Sequence, residues 1–411
     1  MRILLLTPQL PYPPHQGTAM RNYGLLKGLA RRHQVHLLSF LAPNDSLSAA
    51  EPLRVLLEGF DTVPQPSRSS LQRIQSLMTS PLPDMAHRLA SPDLRSMLAR
   101  VLEAHTFDVV QFEGIEMIPY LDVLLKLPRA EGWPLLVFDD HNAEYVLQQR
   151  VFEADIRLPR RWPGAAYSFV QWRRLRRYEA WACQQADIVV AVSDPDRRAL
   201  ARIADRVQVD VVPNGIDLEA YASFKAPEGF LPLHSLVFTG KMDFRPNVDA
   251  VLWFAEHVFP IIRASVPDVQ FYVVGQRPHG RLDKLRGRPG ITVTGWVPET
   301  RPYIASADVY VIPLRSGGGT RLKVLEAMAM GRPIVSTTMG CDGFPVLSGR
   351  EVLLADEPQP FAQQVLGLLA DPERGTSLAR SAARFATEYD WSRILPRLES
   401  AYARVRHSRL K

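Results

Sequence analysis

Three consecutive glycines, Gly317, Gly318 and Gly319, lead into Thr320, Arg321 and Lys323, and Glu326 follows. Glycines let a backbone approach a ligand closely, and the free amides at a helix start favour phosphate. Arg321 and Lys323 put positive charge where it opposes the helix dipole. That choice is poor for the helix alone and sensible if an anion sits there. The Glu326 carboxylate, further along, is suited to accept two hydroxyls of a sugar ring. The plainer alternative is a flexible loop with a solvent-facing glutamate. Neither G-x-G-x-x-G nor G-x-x-x-x-G-K-[ST] occurs, which argues against a Rossmann dehydrogenase and a P-loop ATPase.

A second group of residues lies in the first half of the chain. His141 follows the apolar run that ends in Asp139 and Asp140, and a carboxylate beside an imidazole can fix its tautomer. A histidine just past a strand end points to function more than to packing. Gly17 sits before a helix whose N-cap is expected at Thr18. Asp194-Pro195-Asp196 spells a D-x-D sequence, but after Ser193 it reads as the first turn of a helix and no metal is expected there. His33 and His36 lack neighbouring ligand residues. The two cysteines, Cys183 and Cys341, are too few for a disulfide framework and lack zinc spacing.

These residues need elements to position them. Short runs rich in valine and isoleucine, without polar alternation, predict buried parallel strands over 3–7, 35–40, 108–112, 135–139, 188–192 and 207–212. A second series covers 236–239, 269–274, 291–294, 309–312, 333–336 and 352–354. Helical patterns fall between them, so the expected class is α/β with two doubly wound Rossmann-like domains. Their strand ends are expected to face a central cleft. The turn Pro213-Asn214-Gly215 marks the boundary, giving domains over 1–212 and 213–391, with a C-terminal helix of about 392–411 returning to the first. The Ser/Pro-rich segment 63–83 is expected to be a surface loop.

At 411 residues, 46% hydrophobic and 22% charged, the chain has room for two such domains and excludes disorder. No stretch has the apolar length of a membrane span, and a cytoplasmic location is expected. The net charge of +6 suits an anionic partner, although no nucleic-acid-binding motif is present and none is expected to bind. Residues 160–185 interleave Arg160, Arg161, Arg173, Arg174, Arg176 and Arg177 with Trp162, Phe169, Trp172 and Trp181. Such a helix either lies peripherally on the inner face of an anionic membrane or packs on a core with a solvated basic side.

The 315–331 segment with Pro333-Ile334-Val335, together with Pro213-Asn214-Gly215-Ile216-Asp217, resembles the retaining glycosyltransferases of family 4, which have the GT-B fold. The Thr-Gly-x-Met-Asp-x-x-Pro-Asn pattern over 239–247 is similar to a bacterial sugar transferase subgroup associated with exopolysaccharide loci. The resemblance implies a nucleotide-diphosphate sugar donor on the second domain and no cofactor. Glu326 matches the second glutamate of the family's E-x7-E motif and would hold the ribose, whereas Gly318 stands where the first would be. Gly318, Gly319 and Thr320 would offer backbone to sugar and diphosphate. Lys241 fits the first of two basic positions on the diphosphate, and Asn247 occupies the second. Arg245, Arg321 and Lys323 are the candidates to supply the missing charge. Trp296 and Val297 mark the loop for the base, unless Trp296 is core. Gly17 would face donor phosphate and acceptor, and His141 the donor sugar, in catalysis.

The implied reaction is sugar transfer to a glycan or polyprenyl-linked acceptor in exopolysaccharide or cell-envelope assembly. Two other functions fit the same scaffold. One is a nucleotide-sugar epimerase. The other is a catalytically silent sugar-nucleotide-binding protein, conceivable because Gly318 replaces the motif glutamate.

Overall fold

Apolar runs too short for helices and bounded by turn residues become strands. The computed structural model describes residues 1–14, 17–43, 45–128, 132–319 and 321–409. Its first sheet is built from β1 (Arg2–Thr7), β2 (Gln34–Leu41), β3 (Gly59–Pro64), β4 (Val109–Glu113), β5 (Leu135–Asp140), β6 (Ile188–Ala191) and β7 (Val209–Val211). The order is β3-β2-β1-β4-β5-β6-β7, with every pairing parallel. The second is built from β8 (Ser235–Thr239), β9 (Gln270–Val274), β10 (Ile291–Gly295), β11 (Val309–Ile312), β12 (Ile334–Ser336) and β13 (Leu353–Leu354). It runs β10-β9-β8-β11-β12-β13, again all parallel. Strand order reverses beside β1 and β4 in one sheet and beside β8 and β11 in the other, and ligands of open α/β sheets bind at such points.

The chain divides into two compact units, Met1–Gly215 with the segment from Trp391 onward, and Ile216–Asp390. Side-chain alternation builds two cores on the first sheet. Leu4, Leu6, Phe112 and Phe138 face one way, while Ile3, Leu5, Val109 and Val137 face the other. The helix Trp391–Arg409 covers the second face with Ile394, Leu395, Leu398, Ala401 and Tyr402, all buried. It lies very close to the first helix, Gly17–Leu29. A Cβ on Gly28 would fall 1.8 Å from Leu395 Cδ1, and one on Gly24 would fall 2.0 Å from Trp391 Cε2. Glycine is required there by packing.

Three local expectations are corrected. β3 was not anticipated, because Gly59-Phe60-Asp61-Thr62-Val63-Pro64 is a half-buried edge strand with polar residues and no apolar run. The 63–83 segment holds the end of β3 and a helix, Ser70–Thr79, instead of only loop. Ser69 and Gln72 start that helix with a reciprocal capping box. Thr18 lies inside the first turn of Gly17–Leu29 and is not its N-cap.

Both cysteines are free and buried. The basic segment forms the helix Trp162–Gln185, which buries Leu175, Tyr178 and Ala182 and leaves Trp162, Phe169 and Trp181 exposed. No described helix is long and apolar enough to cross a membrane.

Candidate active site

In the second unit the chemistry gathers where β8 and β11 end. After β11 the chain turns through Gly317 (φ 110°) and Gly319 (φ 77°) into the helix Leu322–Ala329. A Cβ on Gly317 would come within 3.2 Å of Pro246, so this turn packs closely on the segment after β8. Thr320 lies outside the described residues. Arg321 Nη1 donates to Gly318 O at 2.6 Å, drawing the turn onto the helix start. Arg321, which precedes this helix, makes no side-chain capping hydrogen bond to it.

Lys323 crosses from that helix to the end of β8. Its Nζ donates to Thr239 O at 2.8 Å and to Asn247 Oδ1 at 3.1 Å, and lies 4.1 Å from the centre of the Phe238 ring. Burial, reinforced by Arg321, lowers its amine to about 7. A Cβ on Gly240 would meet Lys323 Nζ at 3.0 Å, so glycine keeps this corner open. Asn247 Nδ2 in turn donates to Lys241 O at 2.9 Å. Asn247, at the position expected for the second cation, therefore holds Lys323, one of the candidates for that charge. Lys241 itself points to Asp243 at 3.7 Å and is half-buried, and Arg245 pairs with Asp249 at 3.6 Å.

Glu326 sits one turn after Lys323. Tyr221 OH donates to its Oε1 at 2.9 Å, which leaves Oε2 for a ligand hydroxyl. Burial raises this carboxyl, against the pull of Tyr221 and Lys323. Tyr221 was not anticipated from the sequence. Its helix, Leu218–Ala222, follows the Pro-Asn-Gly turn and is capped by Asp217, which accepts from Ala220 N at 3.2 Å. Trp296 is 66% exposed at the end of β10, so it is not core, and Val297 beside it is half-buried.

In the first unit the corresponding strand ends carry buried ionic groups. Glu113 ends β4, and its Oε2 lies 2.9 Å from His141 Nε2. Burial raises Glu113 to about 7 and lowers His141 to about 4, so the imidazole is neutral at physiological pH. The carboxylate hydrogen-bonded to His141 is therefore Glu113, while Asp139 lies close by and acts on the ring through its charge. Both oxygens of Asp139 are held by Arg21 Nη2, at 2.9 and 2.7 Å. Arg21 Nη1 also donates to Val212 O at 3.0 Å, Pro213 O at 3.2 Å and Asn214 Oδ1 at 3.0 Å. Asp140 faces the other side of β5, beside Glu179, whose carboxylate accepts from the amides of Glu144 (2.6 Å) and Tyr145 (2.8 Å). Oxygen and nitrogen atoms of Glu113, Asp139 and His141 fall within 4.8 Å of one another. Arg21 already neutralises Asp139, and Glu113 is paired to His141, so this trio is satisfied without a cation. Gly17 opens the first helix and is exposed. Asp194 and Asp196 begin the helix Asp194–Ala201, with Ser193 as N-cap accepting from Asp196 N.

Residues 16–220 match the family model described as Glycosyltransferase Family 4, and residues 234–371 match the model described as Glycosyl transferases group 1. The chain belongs to glycosyltransferase family 4. This family 4 chain is 31% identical over 239 residues to the phosphatidyl-myo-inositol mannosyltransferase of Mycobacterium tuberculosis. The match covers 54% of the chain and 61% of that relative's length. Among solved structures, sucrose-phosphate synthase from Thermosynechococcus elongatus is similar with a TM-score of 0.69 at 16% identity, covering 99% of this chain and 100% of that one. HepE from Anabaena, in complex with UDP and glucose, gives a TM-score of 0.65 at 15% identity over 97% and 99%. At such identities the likeness is one of fold. The two Rossmann-like units of this family 4 protein are those of the GT-B fold.

Proposed function

We propose that this protein is a retaining glycosyltransferase that moves a sugar from a nucleotide-diphosphate donor to a glycan or lipid-linked acceptor in exopolysaccharide or related cell-envelope assembly. The observation that carries this reading is the convergence of Lys323, the glycine turn and Glu326 at the switch point of the second sheet. A diphosphate is matched by Lys323 and by the amides of the helix start, and a ribose by the second oxygen of Glu326. That the mycobacterial relative is a mannosyltransferase acting on phosphatidyl-myo-inositol, by its name, favours a lipid-linked acceptor here.

Breaking the bond between the anomeric carbon and phosphate places growing negative charge on the departing diphosphate. Lys323 and the helix amides stabilise that charge more than the ground state, which is the condition for catalysis. The acceptor hydroxyl attacks from the face the nucleotide leaves and gives its proton to the leaving phosphate oxygen, so no second carboxylate is needed. His141, as a neutral imidazole, is suited to accept from a sugar hydroxyl. The exposed aromatic and basic residues of Trp162–Gln185 suit peripheral contact with an anionic membrane.

The test is turnover. Incubation with candidate donors and a polyprenyl-diphosphate-linked sugar should release nucleoside diphosphate and lengthen the glycolipid. An altered nucleotide sugar without acceptor would make the protein an epimerase. Thermal stabilisation by donors without any product would make it a silent binder.

A further inference from the structure

A chain of buried hydrogen bonds runs behind His141, and its direction is set at the end far from the histidine. Tyr402, on the C-terminal helix, has one hydroxyl proton and donates it to Gln111 Oε1. With its oxygen thus engaged, Gln111 must turn its amide group the other way, and Nε2 donates to Glu113 Oε1 at 2.6 Å. Glu113 then has one oxygen left, Oε2, which meets His141 Nε2 at 2.9 Å. Tyr402, Gln111 and Glu113 are all essentially excluded from solvent, while the His141 side chain is 14% exposed. On the other side of the ring, Nδ1 is next to Gly114, whose φ is 86°. A Cβ there would sit 3.5 Å from Nδ1 and 3.3 Å from Glu116 Oε2, so glycine leaves that edge of the imidazole clear.

We propose that Glu113 is the positioning residue of His141: fed by Tyr402 and Gln111, its carboxylate holds the imidazole proton on Nε2 and presents Nδ1 as a bare acceptor for a sugar hydroxyl. An ionised carboxylate has no proton to offer, so the shared hydrogen in the contact must come from the ring. Glu113 also faces the Arg21 guanidinium, which favours its charged form, and the Asp139 carboxylate, which Arg21 itself neutralises. The C-terminal helix contributes Tyr402, on which the Glu399 carboxylate of the same helix also acts. An acid on the Nδ1 side is Glu116, which is also engaged with Arg88 at 3.5 Å.

The consequence for catalysis rests on the transferase reading above, but the tautomer does not, so the two can fail separately. Nitrogen-15 spectra of the histidine ring are recorded on the full chain at pH 8.5, above the pKa of about 7 to which burial raises Glu113. His141 is assigned among the ten histidines by its disappearance in His141→Gln. The wild type should show a protonated Nε2 and a bare Nδ1. In Glu113→Gln the amide oxygen keeps the hydrogen bond from Gln111, so its NH2 faces the ring and forces the proton to Nδ1. The same variant should lose about tenfold or more in kcat with little change in donor KM, as a misplaced ring proton does elsewhere. A wild-type ring carrying its proton on Nδ1 at pH 8.5 overturns the proposal, even if the variant fails to fold. So does a folded Glu113→Gln with an unchanged tautomer. Absence of any transferase turnover, with the tautomers as expected, would instead count against the function proposed above.

Discussion

Tyr221 occupies one oxygen of Glu326, and the proposed donor would take the other. Replacing Glu326 with Gln should weaken donor binding by about 1–3 kcal/mol, since a charged acceptor becomes a neutral one. Calorimetry on the folded variant checks this, and unchanged affinity would remove Glu326 from the site. Lys323 gives a pH signature. Its amine is lowered to about 7, so in the free protein it is increasingly neutral above that pH. A bound diphosphate favours the charged form, and binding above pH 7 must therefore take up a proton. Affinity should fall by about tenfold per pH unit above 7 until the complex itself titrates. Titrations in buffers of different ionisation enthalpy should show the uptake, and Lys323→Arg, always charged, should abolish it. Lys323 and Glu326 were legible as candidates because both lie in one short segment after a strand. Tyr221, Arg21 and Glu113 were not, because their partners lie 105, 118 and 28 residues away and only folding brings them together.

Among elements, the first helix depends on contacts along its length. Arg21 is 2% exposed and joins this helix to Asp139 on β5 and to the carbonyls after β7. Arg21→Met strands a buried carboxylate, which should lower stability by about 3–5 kcal/mol at pH 8. The sign of the pH effect follows from Asp139, already raised to about 6 by burial and raised further once Arg21 is gone. The folded variant then holds a proton that the unfolded chain releases, so its stability should recover as pH falls towards 5. Urea denaturation at both pH values checks this. The strands with buried valine and isoleucine runs were readable to within a residue or two, as β1, β5 and β11 illustrate. β3 was not, because one face of an edge strand has little to bury. The helix Ser70–Thr79 buries no residue, and the serines and prolines of the 63–83 segment suggested loop while the capping box went unnoticed.

For the molecule as a whole, the first unit is built from two stretches that are distant in sequence. The helix from Trp391 supplies Ile394, Leu395, Leu398, Ala401 and Tyr402 to one core of the first sheet. A chain ending at Asp390 would expose that core, and it should be recovered as aggregate, whereas residues 216–390 alone should fold and be soluble. Gly28→Val tests the same packing more gently. Its side chain would collide with Leu395 and should lower the melting temperature through overpacking of about 1–3 kcal/mol. Two doubly wound domains were legible from the two strand series and the turn at Pro213-Asn214-Gly215, and the GT-B fold followed from the family resemblance of the 315–331 segment. Donor, sugar and acceptor are set by a few loop side chains and do not follow from the fold. Amide hydrogen exchange of the full chain with UDP, GDP and ADP in turn tests the central claim most directly. The account predicts that the nucleotide which binds slows exchange across 313–326 and 240–247. A nucleotide that binds while both segments exchange as fast as in the free protein would contradict it.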